Sequence, residues 1–437
     1  MGGALLQLHA QGAQDVFLTG NPQMTYFKSV YRRHTNFAME TRKLNKQNRG
    51  NKEIVKLDKL GDLVYKMYIE IVIPPNTNIN HYNYFNPGTS FLKKIELKIG
   101  EQLIDSHSKK WIETYYSLTE KNNQGLFGYH MNEGVDIVKY TTKFQELSGS
   151  GNYYTNIFTN GKKFMIPLTF WFCKNSGCAL PIGALRNHEA KLEIETSDYY
   201  NNYPDGTDFH VYADYIYLDK DESRRFKQVS HDYLIEQVQE VVKDVVQSSF
   251  KDYSINFYHP VKEIIWTCTQ DIEEFISIYS DLNESDEEGI DQREDQGEEP
   301  GDKFKFDGKL TIKINGVEII SEMDSTYYTR KQIYDNHTGP GGLYATMDMT
   351  NLHIDISCFN DSICVYSFAL HPEDYQSSGT CNFSRANQLN IEYRDLSDLS
   401  ITPSGEIDKR TNPELTFFAV NYNLLRIQDG LCGLVYR

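Results

Sequence analysis

The clearest pattern along this chain is a period of two. Within residues 63–73, Leu63, Tyr65, Met67, Ile69, Ile71 and Ile73 fall on one face, with Lys66 and Glu70 opposite. That spacing predicts a long half-buried strand of an antiparallel sheet, stopped by Pro74-Pro75. The middle of the chain, 209–239, opens the same way: Val211, Ala213, Tyr215 and Tyr217 point to one side, Tyr212, Asp214, Ile216 and Leu218 to the other. It then turns strongly charged over 219–225, which predicts a solvated turn or short helix, and finishes as a polar, extended or amphipathic connector. Further strands are expected at 164–172, 261–269, from Lys309 onward, 415–427 and 431–436. Helical spacing is confined to 111–118, where Trp111, Tyr115 and Leu118 share one face. Residues 81–90, 121–162 and 337–349 lack a period and are read as loops; loops of such length in a sandwich are usually functional surface.

The pattern repeats. The first half runs Ile95-Glu96-Leu97-Lys98-Ile99-Gly100, then Leu168, Phe170 and Phe172, then Ser176-Gly177, then Leu192-Glu193-Ile194-Glu195, then the closing strand at 211–218. The second runs Leu310-Thr311-Ile312-Lys313-Ile314-Asn315-Gly316, then 365–370, then Ser378-Gly379, then Leu389-Asn390-Ile391-Glu392, then a closing strand at 417–425. The shared order points to an internal duplication, with each half of a size that suits one β-sandwich core.

Composition agrees with an all-β chain: 31 Tyr and 23 Phe suit strands better than helices. No apolar run reaches the roughly 18 residues of a membrane-spanning helix. The N-terminus shows neither a secretory layout nor, with Leu6 where Ser or Thr is needed, a myristoylation pattern. Cys173 and Cys178, like Cys358 and Cys364, have no second pair or histidine at zinc spacing, so buried free thiols in a reducing compartment are expected. The net charge of −17 is uneven. Residues 281–302 hold eleven acids and one Arg, and read as an exposed insertion. Residues 25–59 hold ten Lys and Arg against three acids, a stretch that could face a polyanion or an acidic partner, or form an ordinary charged strand face. A globally acidic chain is a poor general nucleic-acid binder, and no direct nucleic-acid contact is expected.

Candidate chemistry is sparse. The twelve histidines form no metal motif, and phosphate-loop and Gly-x-Ser-x-Gly patterns are missing, so no catalytic residue, metal or cofactor is assigned. His353-Ile354-Asp355 is a match that any strand can produce. Sequons stand at Asn283, Asn336, Asn360 and Asn382, candidate glycosylation acceptors that the usual machinery is not expected to meet.

Near the N-terminus, Gly12-Ala13-Gln14-Asp15-Val16-Phe17-Leu18-Thr19-Gly20-Asn21-Pro22-Gln23 contains a turn at 19–22, in which Asn21 before Pro22 is expected to be extended. This run, followed by Tyr31-Arg32-Arg33-His34-Thr35-Asn36-Phe37-Ala38, closely resembles the N-terminal signature of the double jelly-roll major capsid proteins of nucleocytoplasmic large DNA viruses. Residues 219–226 with Tyr233-Leu234-Ile235-Glu236-Gln237 resemble the family's inter-domain connector. Phe257-Tyr258-His259-Pro260-Val261-Lys262-Glu263 resembles the lead-in to its second barrel. Two further blocks, at 378–385 and 419–427, resemble its last third. The acidic insertion at 281–302 departs from the pattern.

The resemblance implies an all-β fold of two tandem eight-stranded antiparallel jelly-roll sandwiches with short helices in loops. The expected organisation is an assembly arm at 1–24, a first jelly roll at 25–220, a connector at 221–240 and a second jelly roll at 241–437. The arm's assembly residues would be Gln14, Asp15, Val16, Phe17, Thr19, Gly20, Asn21, Pro22, Tyr31, Arg32 and Arg33. The implied function is structural and non-enzymatic: a homotrimer with a pseudo-hexagonal outline that tiles an icosahedral shell. Implied partners are neighbouring capsomers, minor capsid and penton proteins, with the arm beneath, near an inner membrane. The implied place is the virion, assembled in the host cytoplasm. A carbohydrate-binding jelly-roll surface protein and a metal-dependent jelly-roll enzyme remain the alternatives.

Overall fold

The period of two becomes two sandwiches of one strand order. The computed structural model describes residues 19–23, 25–29, 32–49, 52–75, 84–85, 88–120, 128–132, 135–139, 143–149, 153–154, 161–197, 203, 206–244, 250–269, 308–339, 341, 362–386, 388–394 and 414–436. The chain divides into an arm, residues 1–37, and a body, 38–437.

The first sandwich holds β1 (Phe37–Leu44), β2 (Lys46–Arg49), β3 (Lys52–Lys56), β4 (Leu63–Ile73), β5 (Leu92–Ile99), β6 (Gln102–Ser108), β7 (Lys162–Pro167), β8 (Ala190–Thr196) and β9 (Asp208–Leu218). Its sheets are ordered β1-β9-β4-β7 and β2-β3-β8-β5-β6. The second holds β10 (His231–Asp244), β11 (Phe250–Ile255), β12 (Pro260–Thr269), β13 (Lys309–Ile314), β14 (Val317–Asp324), β15 (Ile363–Ser367), β16 (Leu389–Arg394), β17 (Glu414–Gln428) and β18 (Leu431–Leu434). Its sheets are ordered β10-β17-β12-β15, with β18 added beside β17, and β11-β16-β13-β14. Apart from β2 in the first and β18 in the second, the second pair of sheets repeats the strand order of the first, as the duplicated sequence order predicted. Even the turn after β5 and β13 recurs, with positive φ at Gly100 in one and at Asn315 and Gly316 in the other.

The alternating residues fill each interior. Met67, Ile69 and Ile71 of β4 and Val211 and Ala213 of β9 meet Ile95, Leu97, Leu192 and Ile194 across the first core. Trp266, Phe417 and Ala419 meet Leu310, Ile312, Ile391 and Tyr393 across the second. The apolar pattern also explains how β9 and β17 differ. Strand β9 alternates buried with half-buried residues, the signature of one covered face. Strand β17 is buried almost continuously from Leu415 to Asn423, so both its faces are covered.

Helices sit in the connections: α1 (Lys109–Thr119), α2 (Lys143–Ser148), α3 (Trp171–Lys174), α4 (Lys220–Gln228) and α5 (Gln332–Asn336). Ser108 caps α1, accepting from the Trp111 N–H at 3.2 Å. The charged run after β9 forms α4, none of whose residues is buried. Three expectations change. The connector read at 221–240 gives way to a strand at His231, because β10 pairs with β17 along its whole length. The strand expected at 164–172 ends at Pro167, and Trp171 and Phe172 are buried in the helical turn α3 instead. The loop read at 121–162 carries, among the described residues, paired strands Gly128–Asn132 and Val135–Lys139, helix α2, and Tyr153–Tyr154 paired with Tyr84–Phe85. The acidic stretch 281–302 falls between β12 and β13, outside the described residues.

Within the arm, Asn21 is not extended. Its φ is 52°, the left-handed region that asparagine enters more readily than most residues. The Phe27 N–H donates to Thr25 Oγ1 at 3.3 Å, and the His34 and Phe37 rings meet edge-on at 6.5 Å.

Candidate functional site

Residues from both sandwiches converge on one buried joint. Trp111 and Leu118, on one face of α1 as their spacing predicted, pack against Ile265, Val365, Phe418 and Val420 on the outward face of the second sandwich. The Trp111 and Phe418 rings lie 5.3 Å apart. This contact is what covers the second face of β17. Backbone completes it: the Gly339 N–H donates to Leu118 O at 2.6 Å and the Gly341 N–H to Ser117 O at 3.0 Å, satisfying carbonyls at the end of α1. A Cβ on Gly339 would come within 2.5 Å of the Leu118 and Ser117 backbone, so only glycine fits. At the other end, the Asn187 N–H donates to Gly430 O at 2.9 Å, and the Cys432 N–H to His188 Nδ1 at 3.1 Å.

Three ionic groups lie along this joint, each with at least one buried member. Glu236 of β10 accepts from Lys174 of α3 at 2.9 Å and from Lys262 of β12, whose side chain is 4% exposed. Burial alone would raise the Glu236 pKa, but the two ammonium groups hold it at about 2. Burial would likewise lower the Lys174 pKa, and Glu236 raises it instead. His337 lies 3.2 Å from Glu263 Oε2 through Nε2 and 3.3 Å from Glu373 Oε1 through Nδ1. Here burial favours the neutral ring, yet the two carboxylates raise its pKa to about 9. Asp105 pairs with His107 at 3.0 Å, and Thr169 Oγ1 sits 3.2 Å from His107 Nδ1. That Asp-His-Thr chain resembles a catalytic relay in composition only. All three side chains are buried, and Asp105 Oδ1 accepts the Val238 N–H across the joint at 3.1 Å. Its geometry fastens one sandwich to the other. No group of three or more metal-ligating side chains occurs among the described residues.

Of the assembly residues expected in the arm, Gln14, Asp15, Val16, Phe17 and Tyr31 lie outside the described residues. Thr19, Gly20, Asn21, Pro22, Arg32 and Arg33 are described, and all are exposed. Asn382 is exposed, with Oδ1 accepting the Ser384 N–H, whereas the Asn336 amide is tied to Gln332. Asn283, Asn360 and the His353–Asp355 match fall outside the described residues.

Residues 25–219 match a family model described as the major capsid protein N-terminus, and residues 222–433 one described as the large eukaryotic DNA virus major capsid protein. The chain is 34% identical to the major capsid protein of Pyramimonas orientalis virus, with both chains covered in full. The chain belongs to the major capsid proteins of large eukaryotic DNA viruses. This capsid protein is also 30% identical to the major capsid protein of Paramecium bursaria Chlorella virus 1, again over the whole of both chains. Its fold matches PBCV-1 VP54 with a TM-score of 0.70 at 26% identity, covering 94% of this chain and 100% of that one. The Faustovirus major capsid protein, 12% identical, shares the fold with a TM-score of 0.60, covering 97% of this chain and 96% of that one. The capsid protein is thus a double jelly roll and a structural component of the virion shell; the carbohydrate-binding alternative finds no support in these similarities.

Sequence reasoning did not single out Lys174, Glu236, Lys262, Asp105, His107, Glu263, His337 or Glu373, because charged residues scattered over several elements make no motif. One signal was present. Lys262-Glu263 interrupts an otherwise apolar strand, and residues 416–425 fail to alternate; together they mark a sheet whose outward face is covered and whose charges must be paired there.

Proposed function

We propose that three copies of this capsid protein associate into a capsomer of six sandwiches whose pseudo-hexagonal outline tiles the facets of an icosahedral shell. The observation that carries this reading is the joint: two sandwiches of similar topology are fixed against each other by an apolar cluster, the Lys174–Glu236 ion pair and the Asp105–Val238 hydrogen bond, so one chain supplies two similar, rigidly coupled building blocks. In this reading the chain comprises an assembly arm (1–24), a first jelly roll (25–220), a connector (221–240, its end drawn into β10) and a second jelly roll (241–437). The exposed turn at Thr19 to Pro22 and the cationic pair Arg32-Arg33, with Gln14 to Phe17 and Tyr31, dock beneath the capsomer on minor capsid proteins near the inner membrane. Penton proteins and neighbouring capsomers complete the shell, in the cytoplasm of the infected cell, without catalysis and without direct contact with nucleic acid. The acidic stretch 281–302 projects outward, where the three copies avoid like-charge contact. Asn382 is an accessible acceptor if a glycan is added. Light scattering on the purified full chain tests the reading: a species three times the 50.6 kDa chain, hexagonal in negative stain, is expected. A strict monomer at high concentration would overturn it.

A further inference from the structure

Between the two sandwiches, beside the Lys174–Glu236 pair, lies a cavity of about 360 Å³, of a size with small-molecule sites. Aromatic side chains line it from both sides. Tyr65 of β4 and Trp171 of α3 come from the first sandwich, and Tyr375 and Tyr422, the latter on β17, from the second. Trp171 and Tyr422 lie deepest, at 5% and 7% exposed, whereas Tyr375, at 51%, stands at the lip. Nothing in the fastening of the two sandwiches needs an open space walled by rings. A close-packed apolar contact, such as that of Trp111 on Phe418, serves that purpose elsewhere in the joint.

The charges around the cavity leave one carboxylate over. Glu236 faces two cations, Lys174 and Lys262, and His337, held protonated, faces two carboxylates, Glu263 and Glu373. Those two groups balance each other. Asp374, which also lines the cavity, is exposed and makes no ion pair with any described residue. Most of the acceptors in the wall are already engaged. Both Glu236 oxygens take lysine protons, and Glu373 accepts from the Thr338 N–H and the Thr338 hydroxyl, each at 2.8 Å. The Tyr375 hydroxyl bonds Cys178, Tyr422 bonds Ser377, and Asn175 Oδ1 accepts the Gly177 N–H at 2.8 Å. What remains is Asp374 with the hydroxyls of Tyr65 and Ser176, too few partners for a sugar ring or a primary ammonium deep in the cavity. A methylated ammonium needs no such partners. It presents apolar methyl groups and a diffuse positive charge, which aromatic faces attract most strongly where water is excluded.

We propose that this cavity binds a methylated ammonium group of the choline type, with Tyr65, Trp171, Tyr375 and Tyr422 around the methyl groups and Asp374 as the counter-ion. The site is built within one chain, so it holds whether or not three chains associate. Two sources carry the same group: free choline and the headgroup of phosphatidylcholine.

The test uses the purified full-length chain. Calorimetric titration, with saturation-transfer NMR on the choline methyl protons, should show saturable binding of one choline per chain at millimolar concentrations or below. Two analogues should each bind at least tenfold more weakly: the neutral alcohol in which carbon replaces the choline nitrogen, and ethanolamine, which lacks the methyl groups. Asp374→Asn and Tyr375→Leu, both at exposed positions, should each weaken choline binding at least fivefold and leave the melting temperature unchanged. Sedimentation with phosphatidylcholine vesicles separates the sources. Pelleting that free choline reverses assigns the group to a lipid headgroup, and binding of free choline without pelleting assigns it to a soluble ligand. Equal affinity for the neutral alcohol or for ethanolamine overturns the proposal. So does a parent with no saturable choline binding, or choline binding indifferent to both variants. If a variant melts early, the comparison of the three small molecules on the parent decides alone.

Discussion

Glu236→Gln is the substitution that most directly probes the joint. The carboxylate lies between Lys174 and Lys262, and its side chain is 15% exposed. Glutamine keeps the shape but leaves the buried Lys262 cation, and the partly exposed Lys174, facing a neutral amide. Breaking a buried pair by removing one partner costs about 3–5 kcal/mol. The pKa gives an independent figure. A carboxylate lowered from 4.5 to about 2 contributes roughly 3 kcal/mol at neutral pH, at 1.36 kcal/mol per unit. Because the folded pKa lies below the unfolded one, that contribution is complete above pH 4.5 and disappears as pH falls towards 2. Urea denaturation of the purified protein, parent against Glu236→Gln, should therefore show a gap of about 3 kcal/mol at pH 7 that narrows steadily below pH 4.5. A gap under about 0.5 kcal/mol at pH 7, or one that stays constant into acid, would refute the argument that Glu236 is held ionised between the two lysines.

Other consequences follow from the same joint and its surroundings. His337 has a folded pKa near 9 against 6.5, so its stabilisation is complete below pH 6.5 and lost as pH rises through 9. A pH series of melting temperatures should fall across that window in the parent, and His337→Gln should remove the slope. Gly339→Ala should open the contact with the end of α1, read as faster hydrogen exchange at the Gly339 and Gly341 amides and at least about 1 kcal/mol of lost stability. Deleting residues 1–24 should leave the melting transition of the body unchanged while impairing shell assembly in a co-expression assay; an unfolded product would place the arm in the core. Replacing 281–302 with a short Gly/Ser linker should preserve fold and trimer mass with or without EDTA, and dissociation by EDTA of the parent would instead indicate a bound cation.

Much of this architecture could be read from period-two alternation. Strand β4 was visible because its polar face is half-exposed, and the duplication because both halves keep one order of strands and turns. What stayed hidden was contact between the halves. Strand β10 read as a connector because its residues alternate weakly: one edge pairs with β17 while its other side meets the first sandwich, so neither face is simply wet or dry. The end of β7 was overextended because Leu168, Phe170 and Phe172 keep the apolar rhythm of a strand while the chain turns into α3. Ion pairs such as Lys174–Glu236 join residues 62 positions apart, and no local spacing encodes them. The arm was legible as a signature, but its geometry had to be corrected at Asn21, where a left-handed asparagine overrides the usual bias before proline.

Strand β17 also constrains when this chain can mature. It contributes Phe417 to the second core, Phe418 to the joint, and Leu425 and Ile427 to the cluster shared with the first sandwich. Every other strand of its sheet except β18 is synthesised before it. The first sandwich has its full set of strands by residue 218, but the second must wait, with β10 unpaired in its sheet and β12 paired on one side to β15, until the strand that separates β10 from β12 leaves the ribosome. A product of premature termination before Leu415 is thus expected to carry one completed sandwich and one open one, and to lack the Phe418 and Val420 part of the joint. The strand that finishes the fold doubles as an inspection step, withholding a shell-competent shape from any chain that stops short.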